Sequence, residues 1–246
     1  MSGRRVRLHR ALWSVGIAGA AGALLGAAGA HAADETLPGR AAIEAVVHDY
    51  ILAHPEIIPE AMERLQANQS AKAIGADRQA LETPFAGAWA GDPHGDVTLV
   101  MFTDYSCGYC RASAPDIDRL LAEDPHLRVV WREIPVLGPA STVAAHLALA
   151  AAKQGHYLAF HRAVFAGGRA DDAHLAAAAK IAGLDPHALA AAGKGADVEA
   201  EIAANLALAG RLGVTGTPAF VIGDRMVSGA VGHDALAKAV AEARKG

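Results

Sequence analysis

The chain has 246 residues, with 22 Lys and Arg against 26 Asp and Glu for a net charge of −4; 52% of residues are hydrophobic and 5% aromatic. An acidic balance argues against a nucleic-acid partner, and the length suits one substantial core with at most a small appendage. Abundant alanine with few aromatics points to a largely helical chain.

The first 32 residues carry Arg4, Arg5, Arg7 and Arg10 without an acid, then an Ala/Gly/Leu run, then Ala30-His31-Ala32. A charged start, an apolar middle and a small-x-small site read as an export signal cut near Ala32. The alternative is a membrane anchor, for which a run padded with Gly and Ala is marginal against the roughly 20 apolar residues a span needs. Arg4-Arg5 also permits a twin-arginine route; general secretion into a bacterial envelope is the favoured reading. Cleavage leaves 18 basic residues against 26 acidic, a net charge of −8.

From 41 to about 69 the apolar residues Ile43, Val46, Val47, Tyr50 and Ile51, then Ile57, Ile58, Ala61, Met62 and Leu65, fall at helical spacing, with Pro55 placed to open the second helix. Two short amphipathic helices cannot bury both faces alone. Either they fold onto the main domain or they join copies of themselves in a homo-oligomer. Residues 71–82 continue or end that helix, and the Gly/Pro/Asp-rich stretch 83–96 is the expected boundary, dividing a helical segment over 33–82 from a domain over 83–246.

"VTLVMFT" (97–103) is a continuous, β-branched apolar run and predicts a buried strand. A helix is predicted over 108–121 and a second strand over "LRVVWRE" (127–133), with a connection long enough for a parallel crossover. Residues 141–212 hold helical blocks at 141–153, 157–165, 172–182, 185–192 and 197–212, separated at Gly155, Gly167-Gly168 and Gly183, with Asp residues placed for N-caps. "AFVI" (219–222) and "RMVSG" (225–229) form a predicted hairpin about Gly223-Asp224. A last helix runs over 234–244. The order is βαβ, a helical insertion, then ββα.

Cys107 and Cys110, the only cysteines, lie where the βαβ unit turns from strand into helix. A disulfide between residues three apart closes too small a loop to be much of a staple, and a structural zinc site needs about four N/S ligands where the chain offers two thiols. A reactive pair explains more. At a helix start the unpaired N–H groups and the macrodipole favour a negative sulfur, and a thiolate is both the nucleophile and the better leaving group in disulfide exchange. Cys107 is then the exposed attacking sulfur, and Cys110, one turn on, the recessed resolving one. In "GVTGTPAF" (213–220), Thr217-Pro218 is a candidate cis bond that would offer Thr217 backbone to an extended substrate; the alternative is an ordinary trans proline opening a strand.

These motifs, "HGDVTLVMFTDYSCGYC", "REIPVLGP" (132–139) and "GVTGTPAF", resemble the thioredoxin superfamily, in particular its periplasmic DsbA-like branch; "FTDYSCGYC" is also similar to DsbC-type isomerase sites. The helical segment before the domain resembles the N-terminal segment of suppressor-of-copper-sensitivity C proteins, some of which oligomerise through it. The resemblance implies an α/β thioredoxin fold with a helical insertion over about 141–212, preceded by a short helical segment. It implies a periplasmic thiol:disulfide oxidoreductase with Cys107 as nucleophile, Cys110 as resolving thiol and Pro218 as a cis-proline after Thr217. Exported proteins would be its substrates and a membrane redox partner would reset it, with no metal and no cofactor beyond the dithiol.

Many relatives carry a buried acid six residues before the first cysteine, and here that residue is Met101. Asp104, which could equally face solvent at the strand end, and Glu133 are candidates to replace it. Gly108-Tyr109, between the cysteines, has neither the histidine of the strongest oxidases nor the proline of thioredoxin. It favours isomerase or reductase activity over oxidation. Tyr109 either covers apolar substrate or packs on its own helix. The alternatives to an isomerase are an oxidase of the same fold, or a copper-binding stress protein in which two soft thiolates hold Cu(I).

Overall fold

The computed structural model describes residues 39–245, so the export signal expected over 1–32 lies outside the described residues. The chain divides into two compact units, one ending at Ala53 and one running from His54. In the first, α1 (Arg40–Ala53) has no buried residue. Its apolar stripe, Ile43, Val46, Val47 and Tyr50, is exposed.

The second unit opens with α2 (Ile57–Glu82), one 26-residue helix that carries on through the polar stretch 71–82. Its early apolar residues Ile58, Met62 and Leu65 are exposed, whereas Ile74 and Leu81 are buried in a cluster with Val100, Phe102 and Val130. The sequence boundary at 83–96 therefore marks the end of a helix, and the compact unit starts nearer His54. Within that stretch lies β1 (Trp89–Gly91), a strand too short to show a pattern. It is followed by β2 (Val97–Thr103), α3 (Gly108–Glu123) and β3 (Leu127–Glu133).

The helical insertion comprises α4 (Pro139–Lys153), α5 (Tyr157–Gly167), α6 (Asp172–Ile181), α7 (Pro186–Ala192) and α8 (Ala196–Arg211). Asp171 and Asp185 cap α6 and α7 by accepting from His174 and Ala188 backbone N–H groups, which satisfies donors a helix start leaves open. The chain closes with β4 (Ala219–Ile222), β5 (Arg225–Ser228) and α9 (His233–Ala243).

The described residues form a five-stranded sheet in the order β1-β3-β2-β4-β5. β2 and β3 pair in parallel, and β4 runs antiparallel to β2. Because side chains alternate along a strand, Leu99, Met101, Val129 and Trp131 line one face with the main core, while Val100, Phe102 and Val130 line the other. This α/β arrangement with its helical insertion is the expected thioredoxin fold, DsbA-like in its elements.

Candidate functional site

β2 ends at Thr103, and a tight turn carries the chain into α3. Asp104 fixes that turn. Its backbone carbonyl accepts from the Cys107 N–H at 3.1 Å, and its carboxylate accepts from Ser106 N (2.7 Å), Val136 N (2.8 Å), Leu137 N (3.0 Å) and the Ser141 hydroxyl (2.6 Å). Asp104 is 1% exposed. The solvent-facing role considered for it is incorrect: its charge is consumed in holding the segment after β3 and the start of α4 against the thiol turn.

Cys107 is the N-cap of α3, and its sulfur accepts from the Cys110 backbone N–H at 3.4 Å. The Cys107 thiol also donates to the Thr217 carbonyl at 3.1 Å, so residues 110 positions apart meet at one sulfur. Both cysteines are free thiols. Cys107 is 6% exposed and Cys110 fully enclosed; the sulfur expected to attack is more recessed than a helix start alone implies, and it is the more accessible of the two. The Thr217–Pro218 peptide bond is cis, with Pro218 buried and Thr217 half-buried. Tyr109 is 71% exposed and stands beside the thiol pair rather than packing down on its helix.

Burial pushes the Cys110 thiol up to about 12; contacts from the Asp104 backbone, Thr217 and Thr103 offset part of that rise, and neighbouring Cys107 adds to it. Beneath Cys110 lies a polar cluster inside an apolar core. The Tyr157 hydroxyl donates to Glu133 Oε1 at 2.6 Å, and the Tyr105 hydroxyl lies 2.9 Å from His161 Nδ1. Burial pushes the Glu133 carboxyl up to about 8, against the Tyr157 and Tyr105 hydroxyls. The same burial lowers His161 to about 3.

The structure thus brings Cys107, Cys110, Thr217 and Pro218 together with Tyr109 at the rim, while Met101 lies in the apolar core. Sequence reasoning named Glu133 but missed Tyr105, Tyr157 and His161. The i,i+4 pair Tyr157 and His161 on α5 carries no local signal of a partner on β3.

Two family models match the chain: the DSBA-like thioredoxin domain over residues 98–241 and the copper resistance protein ScsC N-terminal domain over residues 40–72. Among solved structures, a thioredoxin-like oxidoreductase from Silicibacter pomeroyi is 42% identical, covering 68% of this chain and 96% of that one at a TM-score of 0.64. The thiol-disulfide exchange protein alpha-DsbA2 from Wolbachia pipientis is 31% identical, covering 72% and 97% at a TM-score of 0.67. A linker-deletion variant of Proteus mirabilis ScsC is 29% identical, covering 82% and 92% at a TM-score of 0.66.

The curated relatives are longer proteins. Na(+)/H(+) antiporter NhaA 1 from Salinispora arenicola is 32% identical over 162 residues, and the match spans 24% of its length. Among the described residues, no helix is long and apolar enough to cross a membrane. With the family model running from β2 through the thiol turn, the helical insertion and the closing hairpin, the chain belongs to the DsbA-like thioredoxin domain family, and its N-terminal helices match the ScsC N-terminal domain.

Proposed function

We propose that this protein is a periplasmic thiol:disulfide oxidoreductase that exchanges disulfides with exported proteins through Cys107 and Cys110, reducing and isomerising in preference to oxidising. The observation that carries the reading is the Cys107 sulfur itself, which caps a helix start and meets both the Cys110 N–H and the Thr217 carbonyl. A Cys107 thiolate attacks one sulfur of a client disulfide, and the other client sulfur leaves as a thiolate. Cys110 then attacks Cys107, releasing the reduced client and forming the Cys107–Cys110 disulfide, which a membrane redox partner returns to the dithiol. Thr217 and Pro218 line the client's path, and Tyr109 offers apolar cover.

The preference for isomerisation rests on Gly108-Tyr109, which has neither the histidine of the strongest oxidases nor the proline of thioredoxin. Burial, which holds the Cys110 thiol protonated, accords with a mixed disulfide that a second client thiol can reach in order to displace Cys107. No cofactor beyond the dithiol is required. The mature protein should reduce insulin and restore activity to scrambled ribonuclease; failure in both assays contradicts the reading, and rapid oxidation of reduced ribonuclease with no rescue of the scrambled form supports an oxidase.

The match of residues 40–72 to a domain named for copper resistance favours one second reading, in which the two thiolates hold Cu(I). Titration of the reduced protein with Cu(I) against a competing chelator tests it.

A further inference from the structure

Among the described residues, every arginine but one comes within 4.0 Å of a carboxylate. The exception is Arg111, which directly follows Cys110. It is half-buried, and its Nε is enclosed without a hydrogen-bond partner. The described lysines that lack an ion pair, Lys72, Lys180, Lys194 and Lys245, are all exposed, as solvated cations ordinarily are. A partly enclosed cation without an anion, beside a reactive thiol pair, requires an explanation.

The sequence of α3 withholds a partner from it. Ala114 and Pro115 occupy the positions three and four residues on, where an acid would pair with Arg111, as Glu123 pairs with Arg119 at 2.7 Å. Asp118, two turns on along the same stripe, is taken by Arg162 of α5 at 2.8 Å, and the Asp104 carboxylate is engaged by four donors. The Arg111 backbone N–H donates to the Cys107 carbonyl at 3.1 Å, which sets this residue in the first turn of α3, where the helix dipole disfavours a cation. An enclosed donor without an acceptor and a cation at the positive end of a helix are both unfavourable, and a carboxylate arriving from outside relieves both.

We propose that Arg111 binds a carboxylate of the client, carried by an Asp or Glu two residues from the cysteine that Cys107 attacks, and thereby selects acidic client segments. The inference rests on the assignment of Cys107 and Cys110 as the exchanging pair. Four residues of helix rise about 6 Å. An extended client advances about 3.3 Å per residue and turns every second side chain to the same side, so client positions two apart match Cys107 and Arg111 in both spacing and facing. The planar guanidinium takes a carboxylate through two parallel N–H donors, whereas an amide in the same place offers only a neutral acceptor.

The test uses the full mature protein, reduced, and disulfide-bonded peptides that differ only in carrying Asp or Asn two residues before or after the cysteine. Reduction is followed by acid quench, and each rate is divided by that of dithiothreitol with the same peptide, which removes the effect of the acid on the disulfide itself. The parent should favour an Asp peptide by about tenfold at low salt, the order expected of one charge-assisted pair, and the ratio should shrink as salt rises. Moving the Asp next to the cysteine should lose most of the preference. Arg111→Gln should bring the ratio to about one, and Arg111→Glu should invert it; a merely structural role would slow both peptides alike and leave the ratio intact. A parent ratio near one, or a ratio that survives in Arg111→Gln, would overturn the inference, and the parent with its salt series decides the matter alone if the variants do not fold. A parent that reduces neither peptide would instead overturn the assignment of the thiols, and the inference with it.

Discussion

Glu133 and His161 sit in the same core yet pull stability in opposite directions with pH. Glu133 is raised from 4.5 to about 8, so between those values the unfolded chain releases a proton that the folded one keeps, and stability falls as pH rises. His161 is lowered from 6.5 to about 3; the unfolded chain takes up a proton first, and stability falls as pH drops through that window. The slopes oppose each other from about 4.5 to 6.5 and act alone outside it. A stability plateau is therefore expected near pH 5–6, with a decline on the order of 2 kcal/mol between about pH 6.5 and 8. Urea midpoints across this range check it, and Glu133→Gln should remove the alkaline decline. Of these residues, Glu133 was visible in the sequence as an acid ending a strand; its partners were not, because burial of a polar group is set by contacts 24 residues or more away.

At the level of elements, Arg132 joins three parts of the domain. Its buried guanidinium donates to the backbone carbonyls of Ala80, Leu81 and Thr83, which end α2, and to Glu201 and Asn205 on α8. These helix-end carbonyls have no intrahelical donor, and a cation beside them is favoured by the helix dipole. Arg132→Met should destabilise the protein by about 3 kcal/mol, the usual cost of leaving a buried polar network without its centre. Proteolysis under native conditions should then cut first near the end of α2. A variant that keeps the parent midpoint would show that Ile74 and Leu81 hold the helix unaided. The strands β2 and β4 were legible as apolar runs and β3 through its Val129-Val130-Trp131 centre, because each is buried on both faces, and the hairpin was legible through Gly223-Asp224. What the sequence concealed was β1, three residues long, and how α2 docks, although it allowed the extension of α2 through 71–82. Its stretch 71–82 is largely polar, and Ile74 and Leu81 dock it in the core together with Arg132, which reaches its end from a strand.

For the whole molecule, the exposed apolar stripes are the feature a single copy leaves unexplained. Ile43, Val46, Val47 and Tyr50 on α1, and Ile58, Met62 and Leu65 on α2, are exposed, and an exposed apolar stripe on a helix marks an interaction site. We expect the mature protein to self-associate through residues 41–69, which would present several thiol sites to one client and raise their effective concentration. Light scattering at micromolar concentration should show an oligomer. Removal of residues 33–53, which spares the core contacts of Ile74 and Leu81, should weaken association and reduce ribonuclease rescue more than insulin reduction; a monomeric parent would contradict this and favour the oxidase reading. All of this depends on Cys107 attacking and Cys110 resolving, and trapping measures that division of labour directly. Purified Cys110→Ala and Cys107→Ala variants are mixed with a disulfide-bonded exported protein and run on a non-reducing gel. Cys110→Ala should accumulate a mixed disulfide that dithiothreitol dissolves, and Cys107→Ala should accumulate little; equal trapping by both variants, or trapping only by Cys107→Ala, would contradict the account.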